Sequence, residues 1–429
     1  MKKLMVYSHD TFGLGNIRRM LSICQHLISS TPDLCILLIS GSPMIQSFRL
    51  PPRLDYVKLP CLSRTEREGY SVKSLGTGLE EMMALRSDLI LTAAANFKPD
   101  LFLVDKKPYG VKGELEEVFK YLELHSPETK NVLLLRDILD RPEATIPIWE
   151  KNGYYDAIRS FYDLVLLVGL PEIFDPRKEY RFPAEIAEKV RFCGYIRREA
   201  GSKRRDEIRE ELGLNGEQLV LVTPGGGEDG YRLLETYIMG LEQISGGDRH
   251  RSLIVCGPEM PKVQRERLQQ KMAQYPHVGM AEFTNDLMSY MDAADVVVSM
   301  GGYNTVCEIL SLRKRAVVVP RAKPVEEQWI RAERFSRLGL FKTVHPDDLT
   351  PQTLMRALLD ELGREARHAP PPPQIDLNAL PRITEWISIL LAESEKASNQ
   401  VSGDGEDWAV DFFKELPDRL EALPAEGRL

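Results

Sequence analysis

Cysteine is scarce. The 429 residues hold 6, at Cys24, Cys35, Cys61, Cys193, Cys256 and Cys307, and no two stand in a C-x-x-C spacing. That argues against a disulfide framework and a structural zinc site, and it makes a reducing, cytoplasmic setting the expectation. Long apolar runs are also absent. The longest, residues 164–170, falls far short of the ~20 residues needed to cross a bilayer. The apolar start runs into His9 and Asp10 after about five residues, against the ~7–15 of a signal h-region. Basic charge is not in excess: 56 Lys and Arg face 64 Asp and Glu, a net of −8. This balance gives no support to a nucleic-acid partner. No internal repeat of fixed period is visible.

What is present is globular. Hydrophobic residues make up 43% and charged residues 28%, ordinary values for a folded chain. Short β-branched and Leu-rich runs occupy 4–8, 34–40, 101–105, 132–135, 164–168 and 190–193, then 219–223, 253–256, 278–281, 296–299 and 316–320. Runs apolar throughout are buried on both faces, as in parallel sheets. Helix-period segments between them imply βαβ crossovers. The spacing predicts an α/β chain with domains at 1–195 and 196–345, helices at 346–395 and an acidic tail at 396–429. Residues 401–429 hold eight acids and three bases, a net of −5. The basic stretch around Arg197–Arg205 reads as a linker with a solvated surface. Met82, Met83, Leu85, Leu89 and Ile90 read as core, with a membrane-facing patch as the alternative.

Two strand-to-helix turns carry chemistry. After the run 219–223 comes Pro224-Gly225-Gly226-Gly227-Glu228-Asp229-Gly230. Glycines there let a ligand approach the backbone, and a helix start behind them suits phosphate. Gly225, Gly227 and Gly230 satisfy G-x-G-x-x-G, but the next strand ends in Gly257-Pro258 without the acid a dinucleotide site needs. A phosphate-facing loop is therefore preferred over a dinucleotide site or a plain turn. After the run 296–299, Met300-Gly301-Gly302 leads into Tyr303-Asn304-Thr305-Val306-Cys307-Glu308. Asn304 and Thr305 favour a helix start. Glu308 shares their face one turn (~5.4 Å) up, where it can accept hydrogen bonds from a ribose diol. A solvated carboxylate is the plain alternative. After the run 316–320, Glu327 and Gln328 are candidates for sugar hydroxyls, with Arg321, Lys323 and Arg331 nearby. Strand-end placement brings all three loops to one edge.

On these residues, Gly225-Gly226-Gly227, Met300 to Thr305 with Glu308, and Pro320 to Gln328 with Arg331-Ala332, the C-terminal half resembles the donor domain of GT-B glycosyltransferases. It is closest to the MurG-like group of glycosyltransferase family 28. The whole chain resembles a group of bacterial glycosyltransferases related to MurG, through His9 to Gly15, Leu135-Arg136-Asp137 and Gly226 to Gly230. The resemblance implies two Rossmann-like domains with parallel sheets facing across a cleft. It implies a UDP-sugar such as UDP-N-acetylglucosamine on Gly225, Gly226, Gly227, Gly301, Gly302, Asn304, Thr305, Glu308, Glu327 and Gln328. It further implies an acceptor on the N-terminal domain, a last helix crossing back to that domain, and inverting transfer with neither metal nor cofactor. No D-x-D element stands near these motifs. Epimerase, hydrolase and non-catalytic binding activities on the same fold are the alternatives.

The N-terminal loop after the first run carries Gly13, Gly15 and Asn16 and faces the acceptor side. Related enzymes often have histidine where Asn16 stands, and an amide cannot act as a base. His9 is the nearest substitute, since histidine titrates near ~6.5, with Asp10 to orient or replace it. Asp105 and Asp137 end strands that meet the cleft, where they could position an acceptor or cap a helix. Lipid-linked, polysaccharide and small acceptors all fit, as does peripheral contact with the inner face of a membrane.

Overall fold

The computed structural model describes residues 1–9, 15–64, 69–243, 250–363 and 374–401. Asp10, Gly13, the proline run at 370–373 and nearly all of the acidic tail lie outside the described residues.

The first sheet takes β1 (Lys2–Ser8), β2 (Leu34–Ser40) and β3 (Leu54–Lys58). A small antiparallel hairpin, β4 (Leu62–Arg64) and β5 (Tyr70–Val72), stands apart. The sheet continues with β6 (Leu101–Asp105), β7 (Lys130–Arg136), β8 (Leu164–Val168) and β9 (Val190–Phe192). The second sheet takes β10 (Gln218–Thr223), β11 (His250–Val255), β12 (Val278–Ala281), β13 (Val296–Ser299), β14 (Arg315–Val318) and β15 (Lys342–Thr343). The orders are 3-2-1-6-7-8-9 and 12-11-10-13-14-15, and every neighbouring pair in them is parallel. Central strands are apolar on both faces because helices cover both. Leu4, Met5, Val6 and Tyr7 of β1 are all fully buried, as are Val296, Val297 and Val298 of β13.

These orders fix where a ligand can sit. Each sheet reverses winding direction once, between β1 and β6 and between β10 and β13. At such a point the two adjacent crossovers leave on opposite faces and a crevice opens beyond the strand ends. In the second sheet Thr223 and Ser299 are the paired last residues there. The loops that follow them are the two glycine-rich turns.

The helix Ala379–Val401 packs against the helix Gly15–Ser30 and against β6 and β7, burying Ile383, Ile387 and Leu391. The chain's last described helix therefore returns to the first sheet. The methionine stripe belongs to the helix Leu79–Phe97, where Met82 and Ile90 are core and Leu85 is exposed. Arg86, on its buried face, is neutralised by Glu114 at 2.7 Å and also donates to the Pro60 carbonyl. Arg197, Lys203 and Arg204 of the basic linker are exposed, as expected of a solvated surface, but Arg198 and Arg205 are half-buried. Arg198 donates to Ser22 and Asn304, and Arg205 and Arg209 both pair with Asp295. These guanidiniums fasten the linker to the body.

Candidate active site

The cleft between the sheets measures about 1160 Å³ and is lined from both halves. On the second-sheet side lie Gly225, Gly226, Gly227, Gly302, Asn304, Thr305, Glu308, Glu327 and Gln328. Gly301 sits just behind, packed on Pro320 and the Gln328 backbone. The structure thus gathers the donor-side candidates about one cleft, those of the two glycine turns at the β10/β13 winding reversal and Glu327 and Gln328 from beyond β14.

The glycines at 225–227 have a second cause that the sequence did not suggest. Gly225 and Gly227 hold φ of +86° and +101°, where side chains are strained. A Cβ on Gly227 would stand 2.4 Å from the Cys256 carbonyl oxygen. The loops after β10 and β11 therefore touch backbone to backbone, and only glycine permits it. Gly225 faces the other way, with only Thr305 among the described residues near its missing Cβ. That side is open toward the helix start.

The helix Tyr303–Leu312 begins at Gly302, which adopts extended backbone with nothing among the described residues within 4 Å of its missing Cβ. The first-turn N–H groups face the cleft there, with the partial positive charge of the helix end. Glu308 is buried one turn on. Its carboxylate accepts from Arg18 of the first domain at 3.1 Å. Asn304 donates to the Gly15 carbonyl at 3.0 Å. Asn16 donates to the carbonyl of His9 at 2.8 Å, so it braces the strand end, and His9 lines the cleft while buried.

Glu327 is held by arginines from both halves: Arg136 at 3.1 Å and Arg331 at 3.2 Å, with Arg321 at 3.9 Å. Burial alone would raise its pKa, but Arg136, Arg331, Arg321 and Lys106 together outweigh burial and pull it down to about 2. A depressed carboxyl contributes stability above its unfolded value and loses it as pH falls toward the folded one. Glu327→Gln is therefore expected to lower stability most above pH ~4.5 and hardly at all near pH ~2, read by urea unfolding across pH. Gln328 uses its amide oxygen on the Arg321 N–H at 3.1 Å, which leaves its NH₂ for a ligand.

Two acceptor-side expectations are corrected. Asp137 is fully buried and does not line the cleft. Both its oxygens accept from Arg331 at 2.8 Å, and Tyr195 and the Ile138 N–H add further bonds. Asp105 is likewise buried and accepts from Arg19 at 2.6 Å. Both aspartates neutralise buried guanidiniums.

Several further residues line the cleft, of which Lys106, Lys107, Glu259 and Phe283 had no part in the sequence motifs. Arg18, Arg19, Lys106, Lys107 and Arg136 line the first-domain wall, where Arg18, Arg19 and Arg136 are each paired with a carboxylate. Lys106 holds φ +73°, an uncommon value for a side-chain-bearing residue, at the end of β6. Phe283, 51% exposed, stands on the opposite wall just past β12. An aromatic directly after a strand was the available signal. Glu228, Asp229 and Glu259 line the same wall. Burial and then their mutual repulsion raise the Glu228 and Glu259 carboxyls.

Residues 227–385 match the glycosyltransferase family 28 C-terminal domain. The second half of the chain carries a domain of that family. An uncharacterized glycosyltransferase of Methanopyrus kandleri is 28% identical over 204 residues, 47% of this chain and 54% of that protein. The UDP-N-acetylglucosamine–N-acetylmuramyl-(pentapeptide) pyrophosphoryl-undecaprenol N-acetylglucosamine transferase of Haemophilus influenzae is 30% identical over 145 residues, 33% of this chain and 39% of that one. The chain thus spans about half, or less, of the length of these curated relatives. Among solved structures, MurG of Acinetobacter baumannii superposes with a TM-score of 0.56 at 15% identity, covering 91% of this chain and all of that one. The fold is GT-B, MurG-like across both sheets. It is shared with a UDP-GlcNAc 2-epimerase of Methanocaldococcus jannaschii (TM-score 0.55, 13% identity, covering 91% of this chain and 100% of that one). Likeness at this level shows the fold and does not choose the reaction. Among the described residues, no helix is long and apolar enough to cross a membrane.

Proposed function

We propose that the protein is an inverting glycosyltransferase that moves a hexose, N-acetylglucosamine foremost, from a UDP-sugar to an acceptor hydroxyl without a metal or cofactor. One observation carries this reading. A glycine turn and a helix start flank the winding reversal of a family 28 domain, with a buried glutamate one turn beyond the helix start. The backbone N–H groups at 302–305 would hold the diphosphate and stabilise it as it leaves. Glu308 would take the ribose diol, Phe283 would offer a face to the base, and Glu327 and Gln328 would hold the sugar hydroxyls.

The first domain would hold the acceptor. Its hydroxyl oxygen attacks the anomeric carbon as the bond to the diphosphate breaks, and His9 takes the proton, with Asp10 as the other candidate. Lys107, which lines this wall and whose ammonium bonds among the described residues only to the neutral Tyr70 hydroxyl, suits an acceptor carrying negative charge, as a pyrophosphate-linked lipid does. Such an acceptor would bring the protein to a membrane surface without a spanning helix.

A nucleotide-sugar thermal-shift panel tests the reading. A ligand at ~100 times its dissociation constant adds ~2.7 kcal/mol to stability. UDP and UDP-N-acetylglucosamine are expected to raise the melting temperature, and dinucleotides are expected to leave it unchanged. Prompt isomerisation of the UDP-sugar, or prompt release of UDP without acceptor, would replace transfer with epimerisation or hydrolysis.

A further inference from the structure

The pair between Arg18 and Glu308 differs from the other cross-domain bonds. Arg331 and Asp137 are both fully buried, whereas Arg18 is 43% exposed and its partner Glu308 only 2%. A long, solvent-exposed arginine of the first domain thus rests on a buried carboxylate of the second. The two helices that carry the pair are docked without it. Asn304 donates to the Gly15 carbonyl at 3.0 Å, and Arg198 bridges Ser22 and Asn304. Tyr303 adds a bond to the Val168 carbonyl at 3.4 Å. Arg18 is therefore not needed to hold the domains together.

Its position has a chemical consequence, which rests on the nucleotide reading above. Arg18 donates to Oε1 of Glu308, so a ribose diol that takes both carboxylate oxygens, one hydroxyl on each, competes with it there. A guanidinium displaced from there starts about one to two helical turns, ~4.5–9 Å along the axis, from the N–H groups at 302–305. A diphosphate at that place offers it a bidentate, doubly charged partner. We propose that Arg18 is a two-position arginine, held on Glu308 in the unliganded protein and transferred to the nucleotide's diphosphate on binding. The first domain thereby helps to hold the donor. In the free protein Arg18 also masks a carboxylate that would otherwise repel the incoming anion.

Calorimetry on the full chain with uridine and with UDP tests this, using wild type, Arg18→Ala and Arg18→Lys. Arg18→Ala is expected to weaken UDP at least tenfold while uridine binds as before or more tightly, because its competitor for Glu308 is gone. Arg18→Lys is expected to recover part of the UDP loss, since lysine restores the charge but not the fork. An equal loss for UDP and uridine would show mere structural support and overturn the proposal. So would unchanged UDP affinity. Wild type that binds neither UDP nor uridine would overturn the nucleotide reading together with the proposal. Wild type that binds UDP, with Arg18→Ala failing to separate the two ligands, would overturn the proposal alone.

Discussion

Asp137→Ala is expected to destabilise the protein by about 3 kcal/mol, because removing one partner of a buried ion pair strips the other charge of its principal counter-ion. Asp137 and Arg331 are both fully buried, and the guanidinium makes two bonds of 2.8 Å to the carboxylate. Tyr195 would lose its acceptor as well. What remains for Arg331 is Glu327, the Gly301 carbonyl at 3.1 Å and the Tyr303 ring. The effect should extend beyond stability. Arg331 holds the carbonyl just before the helix Tyr303–Leu312, so nucleotide affinity should fall too. Arg141→Ala is the control. It breaks a cross-domain pair with Glu326 that is largely exposed, and such pairs contribute about 0–1 kcal/mol. Urea unfolding of both variants reads the contrast, and equal losses would contradict it.

Glu308→Ala is expected to weaken UDP-sugar binding by roughly 1.5–3 kcal/mol, about ten- to a hundredfold, the range for hydrogen bonds to a charged acceptor. Stability should change by less than about 1 kcal/mol, since Arg18 is left near solvent and not buried unpaired. Uridine should lose proportionally more than UDP, because the freed arginine can still reach the phosphates. Unchanged affinity by calorimetry would remove Glu308 from the ribose site.

Much of this arrangement was legible in the sequence, for a physical reason. Strands buried on both faces must be apolar throughout, so all eleven expected strands stand within a residue or a few of their expected bounds. The edge strand β3 was missed because Asp55 and Lys58 interrupt its apolar pattern. The glycine turns and the helix start with Glu308 could be placed because a ligand site at strand ends needs local backbone features. Arg331 and Asp137 could not be paired, since 194 positions separate them. Their mutual neutralisation arises only when the two domains meet. The same holds for Arg19 with Asp105 and for Arg18 with Glu308. A charged residue at a strand end reads the same in sequence whether it faces a ligand or a buried partner.

Hydrogen–deuterium exchange of the full chain with and without UDP tests the central claim most directly, because it locates the nucleotide as well as detecting it. Protection centred on the turn at 224–230 and the helix start at 300–308, with the Phe283 loop and the Arg18 helix beside them, is the predicted result. UDP binding with protection elsewhere, or no protection at saturating UDP, would contradict the placement of a nucleotide-sugar donor at the β10/β13 reversal.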